Sequence, residues 1–233
     1  MERLHPWRVD RMKAIQIQER LKDKVLLTKG PEKIERIGGA DVAYSQEDDE
    51  LFGAIVVLSF PHLEEIDSAA VAGRIQFPYI PGLFAFREGP ILLEAFEKLR
   101  HKPHCMIFEG QGMAHPRGLG LASHLGLWLN LPSIGCAKSP LGGPGISVPR
   151  EPGPKRGDFE LIGRQNEPVA AVLRTRENVK PLFVSPGHRI DLPSSIDLIL
   201  ATCVTGRMPE PLRRAHQLAC RLRNKPSALQ TRG

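Results

Sequence analysis

The chain has 233 residues, 41% hydrophobic and 25% charged, a globular composition with enough length for a sizeable core. No run approaches the ~18 consecutive apolar residues of a membrane-spanning helix. The first twenty residues lack the apolar stretch of a signal peptide, so no membrane partner and a cytoplasmic location are expected. The formal charge of +6 has the sign that suits a polyanionic partner.

Residues from about 10 to 26 carry Ala14, Ile17, Leu21 and Val25 at helical spacing and predict an amphipathic helix that ends before Gly30-Pro31. Ile37 to Ser45 and Leu51 to Phe60 are apolar segments joined by an acidic stretch, a hairpin pattern that puts Asp41 inside a strand. In Pro78-Tyr79-Ile80-Pro81-Gly82 two prolines fix the backbone around an aromatic residue, so a rigid loop presenting Tyr79 is expected. Glu88 to Lys98 predicts a helix started by Pro90, with Glu88 at its N-terminus. A short buried strand, Cys105 to Phe108, leads through Glu109 and Gly110 to a helix from about Gly118 to Asn130, then to a second short strand, Pro132 to Lys138. Strand, helix, strand in this order predicts a right-handed parallel crossover. Beyond a Pro- and Gly-rich loop, Pro140 to Gly157, come strand-like segments at Pro168 to Arg174 and Leu182 to Ser185. A helix over Ser194 to Cys203 follows, then a basic helix over about 209 to 223 that carries His216. The whole predicts a single α/β domain over 1–233 with a mixed central sheet flanked by helices. Cys105, Cys136, Cys203 and Cys220 form no C-x-x-C pair and read as reduced, mostly buried thiols.

Three acids stand in unusual places. Glu88 at a helix start is readily explained by the helix dipole. Asp41 and Glu109, in or just beyond buried strands, each need a partner, a hydrogen bond or a metal. If adjacent strands bring them together, their repulsion calls for a cation, and an oxygen-rich site favours Mg²⁺ or Mn²⁺, ions that hold a phosphodiester and activate water. Lys138, at the end of an apolar strand, invites an anion such as phosphate as its partner, although a surface lysine explains it equally well. His216 is a ligand or proton carrier on one reading and an ordinary surface histidine on the other. From Gly206 onward seven basic residues face a single acid, Glu210. The Gly110-x-Gly112 turn invites comparison with a dinucleotide fingerprint, but His115 stands where its third glycine belongs. A nucleotide-dependent oxidoreductase is therefore a poor fit.

Asp41-Val42-Ala43-Tyr44, Pro78 to Gly82 with Phe86-Arg87-Glu88, Gly110 to Arg117, Gly120 to Gly126, Ile134 to Ser139 and Ser185 to Arg189 together resemble the endonuclease V family. The resemblance implies a ribonuclease H-like fold and a Mg²⁺-dependent repair nuclease, with Mn²⁺ able to substitute. Such an enzyme recognises deoxyinosine or other deaminated bases in DNA, extends to inosine in RNA as a candidate substrate, and nicks the second phosphodiester 3′ to the lesion, leaving 3′-OH and 5′-phosphate ends. A monomer suffices for this chemistry. By similarity, Asp41, Glu88, Glu109 and His216 bind metal and Lys138 completes the catalytic set. Pro78, Tyr79, Ile80 and Pro81 form the DNA wedge. Gly110, Gln111, Gly112, His115 and Leu141 line the lesion pocket, and Arg87, Arg117, Lys138 and Ser139 contact phosphates. The family motif has Asp where this chain has Glu109, and the extra methylene displaces the carboxylate by roughly 1.5 Å. That departure implies weakened Mg²⁺-dependent nicking, and at the extreme a protein that binds lesions without cutting them.

Overall fold

A computed structural model describes residues 3–140, 146–147, 149–165 and 167–225. Helix α1, Arg11–Leu21, is capped by Asp10, whose side chain accepts a hydrogen bond from the Lys13 amide, and it buries Ala14, Ile17 and Leu21. It is shorter than the predicted 10–26. Beyond a 3₁₀ turn at Lys22–Lys24 the backbone is extended, and Leu26 pairs with Arg189 through its carbonyl and with His188 through its amide. Tertiary hydrogen bonding there overrides local helical spacing.

Strands β1 (Arg36–Tyr44) and β2 (Glu50–Ser59) form the expected hairpin, with Asp41 opposite Ala54. A strand not foreseen, β3 (Glu65–Arg74), pairs with β2. Helix α2 spans Phe84–Lys98 and so begins before the expected Glu88. Ala85 and Phe86 are core residues and extend the helix backwards, which leaves Pro90 in its interior and Glu88 in its second turn rather than at its N-terminus. An interior proline costs a helix about 3 kcal/mol, so packing of the apolar face, including Ile91, Leu92 and Phe96, holds this turn together.

Strand β4 (Cys105–Glu109), helix α3 (Leu121–Leu129) and strand β5 (Ser133–Ala137) make the parallel crossover, β4 one residue longer than its prediction and α3 and β5 slightly shorter. Next come β6 (Phe159–Arg164), β7 (Glu167–Leu173) and β8 (Leu182–His188), with β6 the second unforeseen strand. Helices α4 (Leu192–Thr202) and α5 (Glu210–Arg223) close the chain. The sheet order is β3-β2-β1-β4-β5-β8-β7-β6, parallel across β1, β4 and β5 and antiparallel elsewhere.

Each sheet face has its own core. Helices α2 and α3 cover one face through Ala40, Val42, Met106, Phe108 and Leu125; α4 and α5 cover the other through Ile37, Ile107, Ile199, Leu212 and Ala215. Alternation along β1 therefore sends the odd-numbered side chains of its second half toward α5. Gly39 lets α5 approach closely, since a Cβ there would lie 2.2 Å from the Pro211 carbonyl carbon. Among the described residues no helix is long and apolar enough to cross a membrane.

Candidate active site

The parallel pairing of β1 with β4 ends at Ala40 opposite Phe108, so the next residues, Asp41 and Glu109, emerge level with each other on neighbouring strands. Helix α5, seated against Gly39, lowers His216 onto the same spot, and His216 Nδ1 donates to Asp41 Oδ2 at 2.6 Å. Asp41, Glu109 and His216 each offer a ligand atom, all within 4.8 Å of one another. Asp41 is 8% exposed. Burial, and then the charge of Glu109, pushes its carboxyl up to about 6, against the His216 hydrogen bond that favours ionisation. Two carboxylates crowded in this way fit a divalent cation, which would relieve their repulsion, and a set of two oxygens and one imidazole nitrogen suits Mg²⁺ or Mn²⁺.

Glu88 lies outside that trio. It is 4% exposed, and burial raises its pKa, with the charges of Asp41 and Glu109 acting in the same direction. Its Oε1 accepts a hydrogen bond of 2.7 Å from the Tyr44 hydroxyl. Burial and the nearby Glu88 keep that phenol protonated. The Arg87 guanidinium stacks 5.0 Å from the Tyr44 ring centroid and donates to the Phe77 carbonyl. Tyr44 is a neighbour of the site that the sequence did not single out: it stands in the Asp41–Tyr44 motif, but nothing in its spacing showed that its hydroxyl faces α2. Lys138 is solvent-facing, with its side chain 51% exposed, and its anionic partner is Glu109 Oε1 at 2.6 Å.

Beside the carboxylates, between the ends of β4 and β5 and the Pro78–Gly82 loop, lies a cavity of about 220 Å³. This is below the ~300–1,000 Å³ of drug-sized sites and suited to a single flat ring system. Gly110, Gln111, His115 and Ser139 line it, together with Tyr79, Ile80 and Pro81. Gly110 has φ +146°, a conformation that favours glycine. Gly112 lies outside the cavity, under the Pro186 carbonyl, with its amide donating to Ser185 Oγ. Leu141 falls outside the described residues. Tyr79, 68% exposed, stands at the rim as the two prolines suggested.

The loop is anchored through one atom. The Gly82 carbonyl accepts from Gln18 Nε2, His115 Nε2 and Arg117 Nη2, and Arg117 Nε donates to Gln18 Oε1. His115 Nδ1 accepts from the Arg117 amide, and burial with the neighbouring Arg117 charge pushes its pKa down to about 4, so the ring is neutral at pH 7. Arg117 therefore braces the loop directly at Gly82 and indirectly through Gln18.

A family model described as Endonuclease V matches residues 19–217. Endonuclease V of Dictyoglomus thermophilum is 48% identical over 203 residues, spanning 87% of this chain and 86% of that protein. The crystal structure of endonuclease V from Streptomyces avermitilis aligns with a TM-score of 0.86 at 39% identity, covering 93% of this chain and 94% of that one. Ciona intestinalis endonuclease V, solved in complex with a 24mer DNA containing an inosine followed by a ribo-adenosine, aligns at TM-score 0.82 and 28% identity, covering 91% of this chain and 96% of that one. The α/β fold with a mixed sheet expected from the residues, ribonuclease H-like as the resemblance implied, is the fold these structures share with this chain.

Proposed function

The chain belongs to the endonuclease V family, and on that premise we propose that it is a divalent-metal-dependent repair nuclease for hypoxanthine in DNA, hydrolysing the second phosphodiester 3′ to the lesion to leave 3′-OH and 5′-phosphate ends. It acts as a single-domain monomer in the cytoplasm, with other deaminated bases and inosine-containing RNA as further substrates. The observation that carries this reading is the meeting of Asp41, Glu109 and His216 within 4.8 Å beside a one-base cavity.

In this reading Asp41, Glu109 and His216 hold the ion, and Glu88 supports the site from α2. Bound Mg²⁺ or Mn²⁺ supplies positive charge to the scissile phosphate and acidity to water. In the absence of an ion His216 Nδ1 donates to Asp41 Oδ2 and orients that carboxylate, and the same nitrogen would exchange this bond for the ion. Lys138, exposed and adjacent, meets a phosphate oxygen by exchanging its contact with Glu109. Ser139 and the Arg87 side of the loop flank the same path. Tyr79, held rigid between Pro78 and Pro81, fills the space left by an extruded nucleotide. The neutral His115, Gln111 and the Gly110 backbone surround the base edge, the usual arrangement for enzymes that take a base out of the stack.

Glu109 favours one alternative, a lesion-binding protein with weak cutting, because its carboxylate is shared with Lys138. The test pairs a duplex containing one deoxyinosine with a matched adenosine duplex, under Mg²⁺, Mn²⁺ or EDTA, with cut sites mapped and binding followed by gel shift. Metal-dependent nicking confined to the second 3′ phosphodiester supports the nuclease. Tight inosine-specific binding without nicking under either ion supports the alternative.

A further inference from the structure

Helix α5 presents a second pair of metal donors on the outer side of the His216 ring. His216 and Cys220 are four residues apart and share one helix face, and Cys220 Sγ stands 3.6 Å from His216 Nε2. That nitrogen is the one His216 does not use toward Asp41, which is bound through Nδ1. We propose that His216 Nε2 and Cys220 Sγ form a chelating site for a soft or borderline divalent cation such as Zn²⁺, separate in its atoms from the hard-ion site and in competition with it for the same imidazole.

Three observations carry the proposal. The span matches: a thiolate at ~2.3 Å and an imidazole at ~2.0–2.1 Å from a tetrahedral ion lie about 3.6 Å apart. The pair is reachable, with the His216 side chain 55% exposed and Cys220 partly exposed, whereas Cys105, Cys136 and Cys203 are buried. The ring geometry also suits it: Nδ1 is engaged by Asp41, and Nε2 is the ring nitrogen that faces the sulfur.

Binding replaces the S–H bond of Cys220 with a sulfur–metal bond and releases the proton to solvent, with no change of oxidation state; water completes the coordination. The thiolate sets the selectivity, since sulfur favours Zn²⁺ over Mg²⁺. If instead His216 ligates a hard ion beside Asp41 and Glu109 through Nδ1, the proton moves to Nε2 and the outer site closes. Soft cations should therefore inhibit the nuclease. The chelate itself does not depend on the nuclease reading; the inhibition does.

Co²⁺ added to the full-length protein is the direct probe, because thiolate ligation gives a near-ultraviolet charge-transfer band that oxygen and nitrogen ligands alone do not. One equivalent should produce the band in the parent, and both Cys220→Ser and His216→Ala should abolish it. Zn²⁺ should shield the single fast-reacting thiol from a disulfide reagent. Zn²⁺ should also inhibit nicking under excess Mg²⁺, with Cys220→Ser needing about 10-fold more of it. A parent without the band, or a Cys220→Ser variant that keeps it while retaining the parent's circular dichroism, overturns the site. A band accompanied by equal Zn²⁺ inhibition of parent and Cys220→Ser overturns the competition alone. Because the band is read without DNA, its failure is distinguishable from failure of the nuclease reading.

Discussion

Glu109 has one methylene more than the aspartate of the motif it resembles, and the structure shows where that length goes. Its Oε1 reaches Lys138 Nζ at 2.6 Å, while the carboxylate keeps a ligand atom within 4.8 Å of Asp41 and His216. The longer arm thus meets Lys138 on one side and the Asp41–His216 pair on the other. Glu109→Asp should raise Mg²⁺-dependent nicking on the order of 10²-fold, the scale of penalty for misplacing a group by about 1 Å. An unchanged single-turnover rate would show that the longer acid is fully accommodated. His216 is more exposed than a core residue and has one strong partner, Asp41. His216→Ala should lower nicking by about 10²-fold or more, in the range for losing a group that holds or moves a proton, while lesion binding in a gel shift falls far less. Equal losses in the two assays would make the residue a structural one.

At the scale of elements, α5 matters because it carries His216, and its start is fixed by a buried acid. Glu210 accepts from Thr205 Oγ1, Arg213 and Arg214. The Arg213 hydrogen bond, the largest influence, holds its carboxyl down at about 2, against an ordinary 4.5. A carboxyl with a depressed folded pKa contributes stability that is complete above the unfolded value and vanishes as pH falls through the folded one. Glu210→Gln should therefore lower stability at pH 7 by about 1–2 kcal/mol, since Arg213 and Arg214 can still turn to water. The gap to the parent should close between pH 4.5 and 2 in denaturant titrations. A gap constant with pH would mean that Glu210 acts by packing rather than by charge.

Elements differ in how plainly the residues announced them. The β1–β2 hairpin and the β4–α3–β5 crossover were legible because their apolar runs are long or bounded by turn residues. β3 was not, because Asp67, Ser68, Ala69, Ala70, Ala72 and Gly73 give a small, polar stretch that becomes a strand only by pairing with β2. β6 is an exposed edge strand whose identity depends on β7. The start of α2 was misplaced because Pro90 resembles a first-turn proline, and only the packing of Phe86 and Ala85 in the core shows that the helix is already under way.

At the scale of the whole molecule, the site is a product of topology. Asp41, Glu88, Glu109 and His216 come from β1, α2, β4 and α5, and span 175 residues of sequence between the hydrogen-bonded pair His216 and Asp41. Motif resemblance named these residues, but their meeting depends on the parallel β1–β4 register and on Gly39 admitting α5 to the sheet. Contacts absent from any local pattern, such as Tyr44 with Glu88 and the three donors on the Gly82 carbonyl, follow from the same assembly. The most direct test of this convergence is Mn²⁺ binding followed by electron paramagnetic resonance. Stoichiometric Mn²⁺ is expected in the parent, weakened about 10-fold or more by Asp41→Asn and little changed by Cys220→Ser. Mn²⁺ affinity that is the same in the parent and in Asp41→Asn would contradict the assignment of the cluster as the metal site.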